Sequence, residues 1–343
     1  MKPREMATRD RSAEAAGVPA MAAIVQDAYG DAPEKVLRLA HADRPAIGAG
    51  EVLVRVRAAS VDRGTWHVMA GLPYPIRLAG FGLRRPKASN PGRAVAGTAE
   101  SVGADVTGIK PGDHVYGTCQ GAFAEYASAQ AGRLARKPTN LSDQEAAAVP
   151  VSGLTALQAV RGRVQAGQRM LIIGASGGVG TFAVQIAKAF GAEVTGVCST
   201  AKMDLVRALG ADDVIDYTRD DIADGAHRYD VILDIGGNRR LSHLRRALTP
   251  RGRLVIVGGE TGGRWLGGTD RQLRAQLLSP LLSQKLGTFV TSENAEDLRV
   301  LGELIESGKL SPAIDRTYPL SDTAAAIRYV QEGRARGKVV ITI

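Results

Sequence analysis

The sequence predicts an α/β chain in which a doubly wound parallel sheet is inserted into a mostly-β domain. Three observations carry this. From residue 169 onward short apolar runs alternate with helical ones, whereas residues 51 to 130 hold short strand-like runs cut by Gly and Pro, and the chain closes on KVVITI, a strand too short to stand alone. At 343 residues the chain exceeds the size at which one hydrophobic core usually keeps growing, so two domains are expected.

Residues 1 to 20, basic and then small and polar, read as an unstructured extension without the apolar stretch of a secretory signal. Met21 opens the strand-like run MAAIVQDAYG and is a second candidate start. EVLVRVRAA (51–59) alternates apolar and polar positions as a half-buried strand does, and a shorter run around 95–102 does the same. HVY (114–116) and FAEYA (123–127) are read as further strands, with turns at Gly103, PGD (111–113), Gly117 and Gly121. LSDQEAAAVPVSGLTALQAV is helical material interrupted at Pro150 and restarting near Gly153.

The alternation follows. RMLII (169–173) is a strand, and GVGTFAVQIAKAF is a helix with Val179, Phe182, Ile186 and Phe190 on one face. EVTGVC (193–198), DVID (213–216), YDVILD (229–234) and RLVIVGG (253–259) are strands, separated by helices over 201–209 and 238–247. RQLRAQLLSPLL is helical and leads to LGTFVTS (286–292), an edge strand available to a second subunit. Helices over 298–308 and 322–333 end at Gly308 and Gly333. KVVITI then has to join a sheet, and the N-terminal β domain is its natural host.

Composition excludes several classes. The net charge of +9 is diluted over mixed signs, its strongest cluster is Arg84-Arg85-Pro86-Lys87, and only 4% of residues are aromatic, so a nucleic-acid binder is not indicated. Two cysteines leave no room for a disulfide framework or a four-cysteine zinc lobe. With no apolar run of membrane-spanning length, a cytoplasmic protein is expected.

The sharpest local signal is Gly174-Ala175-Ser176-Gly177-Gly178-Val179-Gly180, between the strand MLII and an amphipathic helix. The second position of the dinucleotide fingerprint is Ala here, yet the small residues still allow a tight turn, approach of a pyrophosphate to the helix N-terminus, and close helix–strand packing. An NAD site places an acid about twenty residues after the first glycine, to hold the ribose 2′-hydroxyl. Residues 194–203 contain none; Ser199, Thr200 and Lys202 are donors for a 2′-phosphate instead, which makes NADPH the expected cofactor. Cys198 is placed to line the adenosine pocket.

Five histidines form no His-Glu-x-x-His motif, and Cys119 with His114 lacks a third ligand, so no metal is expected. Gly174, Ser176 and Gly178 also meet the G-x-S-x-G spacing of a hydrolase nucleophile, with Asp216 and His243 as formal partners, but the seven-residue glycine span favours the nucleotide reading.

Residues 21 to 343 resemble the medium-chain dehydrogenase/reductase superfamily, in its zinc-independent quinone oxidoreductase-like branch. The resemblance is carried by AASVDRGTWHVMAG, PGRAVAGTAESVG, KPGDHVYG, GAFAEYA, VPVSGLTALQAV, GASGGVGTFAVQIAKAFGAEVTGVCST, LGADDVIDYT, YDVILDIGG and GRARGKVVI, in that order. It implies a GroES-like catalytic domain over 21–150, completed by 291–343, with a Rossmann domain over 151–290 inserted between, and a homodimer. Zinc-dependent relatives have a His-Glu pair near the position of Arg93-Ala94, which is absent. Where the branch has Asn, Asp and Tyr near the nicotinamide, this chain has Asp62, Thr65 and His67, and Ala94 replaces a common Asp.

By similarity Gly177, Gly178, Val179 and Gly180 approach the pyrophosphate, Ser199 and Lys202 the 2′-phosphate, and Tyr217 the adenosine. Thr155, Gly258, Phe289 and Lys338 are implied around the nicotinamide half. The expected activity is hydride transfer from NADPH to a quinone or α,β-unsaturated carbonyl, acceptors whose conjugation spreads the developing charge without a Lewis acid. His67 is the expected proton or hydrogen-bond donor, with Asp62 orienting it or contacting substrate and Trp66 as an apolar wall. Alcohol or aldehyde oxidoreduction, and NADPH binding without catalysis, are the alternatives.

Overall fold

The computed structural model describes residues 20–343 apart from 226, 238 and 260–262. Of the extension expected over residues 1–20, all but Ala20 lies outside that range. In chain order the elements are β1 (Ala20–Gln26), α1 (Pro33–Val36), β2 (Leu37–Asp43), β3 (Glu51–Val61), α2 (Arg63–Ala70), β4 (Ala94–Val102), β5 (His114–Thr118), β6 (Tyr126–Gln130) and β7 (Leu134–Arg136). They continue with α3 (Asp143–Ala148), α4 (Pro150–Val160), β8 (Arg169–Ile173), α5 (Gly178–Ala189), β9 (Glu193–Cys198), α6 (Met203–Ala208), β10 (Asp213–Asp216), β11 (Tyr229–Asp234) and α7 (Leu241–Ala247). The remainder is β12 (Leu248–Ile256), α8 (Gly263–Leu266), α9 (Thr269–Leu278), β13 (Lys285–Thr288), α10 (Ala295–Glu306), β14 (Ile314–Pro319), α11 (Thr323–Gln331) and β15 (Lys338–Thr342).

The apolar runs after residue 169 form one six-stranded parallel sheet, ordered β10-β9-β8-β11-β12-β13. Order reverses between β8 and β11, which opens a crevice above their carboxyl ends. The second large sheet, ordered β14-β15-β3-β4-β5-β7 with β6 on β3, takes strands from both ends of the chain. The C-terminal strand is one of them: Val339 pairs antiparallel with Val61, and Ile341 with Ala59. One core joins α4, α5 and α10 to the nucleotide-side sheet, and another fills the β domain under α11.

Several element expectations need correction. FAEYA is not a strand throughout; Ile24 N donates to Phe123 O at 2.9 Å and Ala124 bridges Ala23, so residues 122–124 cross to β1 before β6 begins at Tyr126. The restart expected near Gly153 occurs at Pro150 itself, because the first helical position needs no N–H partner. RLVIVGG ends as a strand at Ile256, and LGTFVTS leaves the sheet after Thr288.

The return of the chain to the β domain is fastened by a buried carboxylate. Asp297 on α10 accepts from Gln158 Nε2 at 2.6 Å, Arg161 Nη2 at 2.5 Å and Asn294 Nδ2 at 3.1 Å. Burial pushes this carboxyl up, but the hydrogen bonds from Asn294, Gln158 and Arg161 outweigh it and hold the group below its usual range. A lowered folded value contributes stability above the unfolded value that is lost as pH falls through the folded one. Asp297→Ala is therefore expected to cost about 2–3 kcal/mol near neutrality, with the gap to wild type closing below about pH 4. Urea unfolding at both conditions checks it, and a gap unchanged by pH would refute the assignment.

Candidate active site

The turn after β8 is built by its glycines. Gly174 takes φ 87°, and its N–H and that of Ala175 donate to Val197 O, both at 3.1 Å, tying the turn to β9. A Cβ on Gly180 would lie 2.1 Å from Gly174 O, so only glycine lets α5 pack this closely. At Gly177, the N-cap of the twelve-residue α5, a Cβ would meet only Gly174 O, at 3.4 Å, and otherwise open space. This is a cradle for an anion at a helix N-terminus, and a dinucleotide's pyrophosphate fits it. Ser176 is buried and its carbonyl accepts from Gly337 N at 2.9 Å, while Val179 packs against the core.

Behind Gly178 lies a buried polar cluster. A Cβ on Gly178 would sit 3.0 Å from Ser152 Oγ and 3.2 Å from Lys338 Cδ. The Lys338 side chain is 1% exposed; its ammonium is paired with Asp62 Oδ1 and reaches Ser152 Oγ at 3.2 Å, and Ser152 Oγ donates to Asp62 Oδ1 at 2.6 Å. The carboxylate of Asp62, expected to orient His67 or to contact substrate, is held through Oδ1 by Lys338 and Ser152. Its backbone N–H instead donates to Thr65 Oγ1 at 3.2 Å and starts α2.

His67 lies on α2, half-buried, with Nδ1 2.9 Å from Leu72 O. A carbonyl can only accept, so Nδ1 is the donor in this contact. Trp66 meets His67 edge-on at 5.1 Å, packs on the β-domain core, and donates Nε1–H to Asp31 O at 3.3 Å. Just beyond, Tyr74 N donates to Arg264 O at 2.8 Å and the Tyr74 and Trp265 rings meet edge-on at 5.1 Å, so this loop touches the nucleotide-side domain.

At the end of β9, Ser199 immediately precedes a helical turn over 200–202 and makes no side-chain cap bond to it. Lys202 Nζ donates to Gly333 O and Ala335 O, both at 2.8 Å, so it braces the turn that carries Arg334 and Arg336. Burial holds its amine below the ordinary lysine value, with Asp315 opposing. Tyr217 is exposed, and its N–H donates to Cys198 O at 3.1 Å. Asp216, missed as a neighbour of this end, accepts from Thr200 Oγ1 and from Thr218 Oγ1, the latter at 2.7 Å. It is read only from the parallel pairing of Asp216 with Cys198, which no sequence window contains.

Thr155 Oγ1 donates to Val151 O at 2.8 Å and lies 3.1 Å from Thr291 Oγ1. Gly258 is fixed as glycine by Ile235 O, 2.1 Å from where its Cβ would stand. Phe289 lies under the Arg163 guanidinium at 5.1 Å and against the main core, a packing role. The structure thus brings together the glycine turn, Asp62, Ser152 and Lys338, and leaves Tyr217 and Phe289 outside that cluster. The hydrolase partners are not assembled: His243 Nε2 faces Asp221 Oδ1 at 2.5 Å, and Asp216 is engaged by the two threonines.

Arg93 Nη2 donates to both oxygens of Glu293, at 2.6 and 2.7 Å, and Cys119 is buried beside it with its thiol pushed up to about 12, mainly by burial. Among the described residues no group of three His, Cys, Asp or Glu side chains is placed to hold a metal, and no helix is long and apolar enough to cross a membrane.

Comparison with known proteins matches residues 48–139 to the alcohol dehydrogenase GroES-like domain and residues 209–341 to a family described as zinc-binding dehydrogenase. The chain is 32% identical over 327 residues to a mouse protein named NAD(P)H oxidoreductase RTN4IP1, mitochondrial, covering 85% of this chain and 82% of that one. It is 33% identical over 313 residues to 2-methylene-furan-3-one reductase of Solanum lycopersicum, covering 87% and 73% respectively. The structure of the quinone oxidoreductase from Coxiella burnetii superposes with a TM-score of 0.80 at 28% identity, covering 95% of this chain and all of that one, 100%.

Proposed function

The chain belongs to the zinc-independent, quinone oxidoreductase-like branch of the medium-chain dehydrogenase/reductase superfamily, and from that premise we propose how its residues carry out NAD(P)H-dependent reduction of quinones and enones. The glycine cradle at the head of α5 is the observation that carries the reading. When bound, the cofactor supplies the hydride. The chain's own work is to hold the diphosphate at Gly177, Gly178 and Val179, to orient the acceptor in the crevice, and to meet negative charge developing on its oxygen. His67 takes that last role, as a hydrogen-bond or proton donor whose ring is positioned by the Leu72 carbonyl.

We further propose that NADPH is preferred over NADH. Residues 194–203 contain no carboxylate, Asp216 is already satisfied by Thr200 and Thr218, and Lys202 braces a turn bearing two arginines. Lys202→Ala is expected to weaken NADPH binding about tenfold while changing NADH little. Equal losses for both, by titration, would leave Lys202 a structural brace only.

A homodimer is also proposed. β13 is one of the two edge strands of the six-stranded sheet, and beside it Leu273, Leu277, Leu281 and Val290 are exposed. A sedimentation mass equal to one chain would refute it. The activity test is NADPH consumption with a benzoquinone, a 2-alkenal and a simple ketone, NADH in parallel. Turnover of the conjugated acceptors, faster with NADPH, is expected. Turnover confined to the simple ketone would favour the dehydrogenase alternative, and silence despite NADPH binding the non-catalytic one.

A further inference from the structure

The Asp62–Lys338 pair lies against the nucleotide turn. Lys338 follows Gly337, whose N–H donates to Ser176 O at 2.9 Å and which bridges Gly177, so its strand is stitched to the cradle. The lysine stem passes directly behind Gly178, 3.2 Å from the place of a Cβ, and Asp62 Oδ1 is 3.9 Å from the same point. A dry ammonium this close to the head of α5 is an anion anchor in the making. Its charge is not available as one. Asp62 neutralises it, with Ser152 Oγ 3.2 Å from the nitrogen and Val61 O at 3.5 Å.

We infer that Asp62 is an affinity-limiting carboxylate: by discharging Lys338 beneath the cradle it weakens the hold on the cofactor's diphosphate and so keeps cofactor exchange fast. The inference rests on the dinucleotide reading of the cradle. It concerns the diphosphate, which NADPH and NADH share, so its effect is the same for both. Asn at position 62 keeps the shape of Asp and remains a good helix N-cap, so charge is the main variable in Asp62→Asn.

Binding titrations of NADPH and NADH test it, with wild type, Asp62→Asn, and Asp62→Asn combined with Lys338→Met, each checked by thermal unfolding. Asp62→Asn is expected to tighten both nucleotides about tenfold, and with a steeper salt dependence, because the charge of Lys338 behind Gly178 is then no longer offset by a carboxylate. The gain should vanish in the double variant, which has no cation to release. Should Asp62→Asn fail to fold, Asp62→Ser removes the same charge with less bulk and carries the same expectation. Wild type binding normally while the charge-neutral variant binds equally or more weakly would overturn the inference alone. Absence of binding by every variant, wild type included, would overturn the dinucleotide reading together with it.

Discussion

Gly177→Val is expected to cut affinity for both NADPH and NADH by about a hundredfold, since the N-cap of α5 must let backbone approach the diphosphate, while leaving the protein as stable as wild type. The two halves of this expectation come from the same geometry. Gly177 has φ −87° and ψ 175°, a conformation open to any residue, and a Cβ there makes one ordinary contact at 3.4 Å. The added methyls enter the space where the anion docks. Gly180 is the contrast: its Cβ would fall 2.1 Å from a backbone oxygen, and valine there should prevent α5 from packing at all. Thermal unfolding beside a fluorescence titration separates them. Undiminished cofactor binding by a folded Gly177→Val protein would remove the diphosphate from this turn.

The second large effect is expected at His67. Loss of a positioned proton donor typically costs about 10²–10⁴ in rate, and His67→Ala should lower kcat/KM within that range with the cofactor dissociation constant unchanged. Steady-state rates that are unaltered by the substitution would take His67 out of the mechanism and leave it as a bracket for the Leu72 turn.

What was legible in the sequence was whatever a short window encodes. The apolar runs RMLII, EVTGVC and YDVILD sit between helices and became adjacent parallel strands, because continuous hydrophobicity suits a sheet covered on both faces. The glycine-rich run 174–180 dictated a tight turn into a helix, since Gly174 takes a positive φ and Gly180 has no room for a side chain. KVVITI had to find a sheet, and it found β3. Where local signals erred, tertiary packing overrode them, as where FAEYA crosses to β1 before rejoining the sheet.

The chemistry behind the cradle was beyond any window. Asp62 and Lys338 were each expected near the cofactor but not as partners, and Ser152 was not singled out, yet Lys338 and Asp62 are 276 positions apart and form one buried cluster with Ser152. Asp216 came to the end of β9 by strand register, and Lys202 was claimed by carbonyls of the turn at 333–335. Periodicity and turn chemistry act over a few residues and specify elements. Which charge meets which is decided when two sheets, one of them assembled from both ends of the chain, are packed together and every buried polar group has to find its partner.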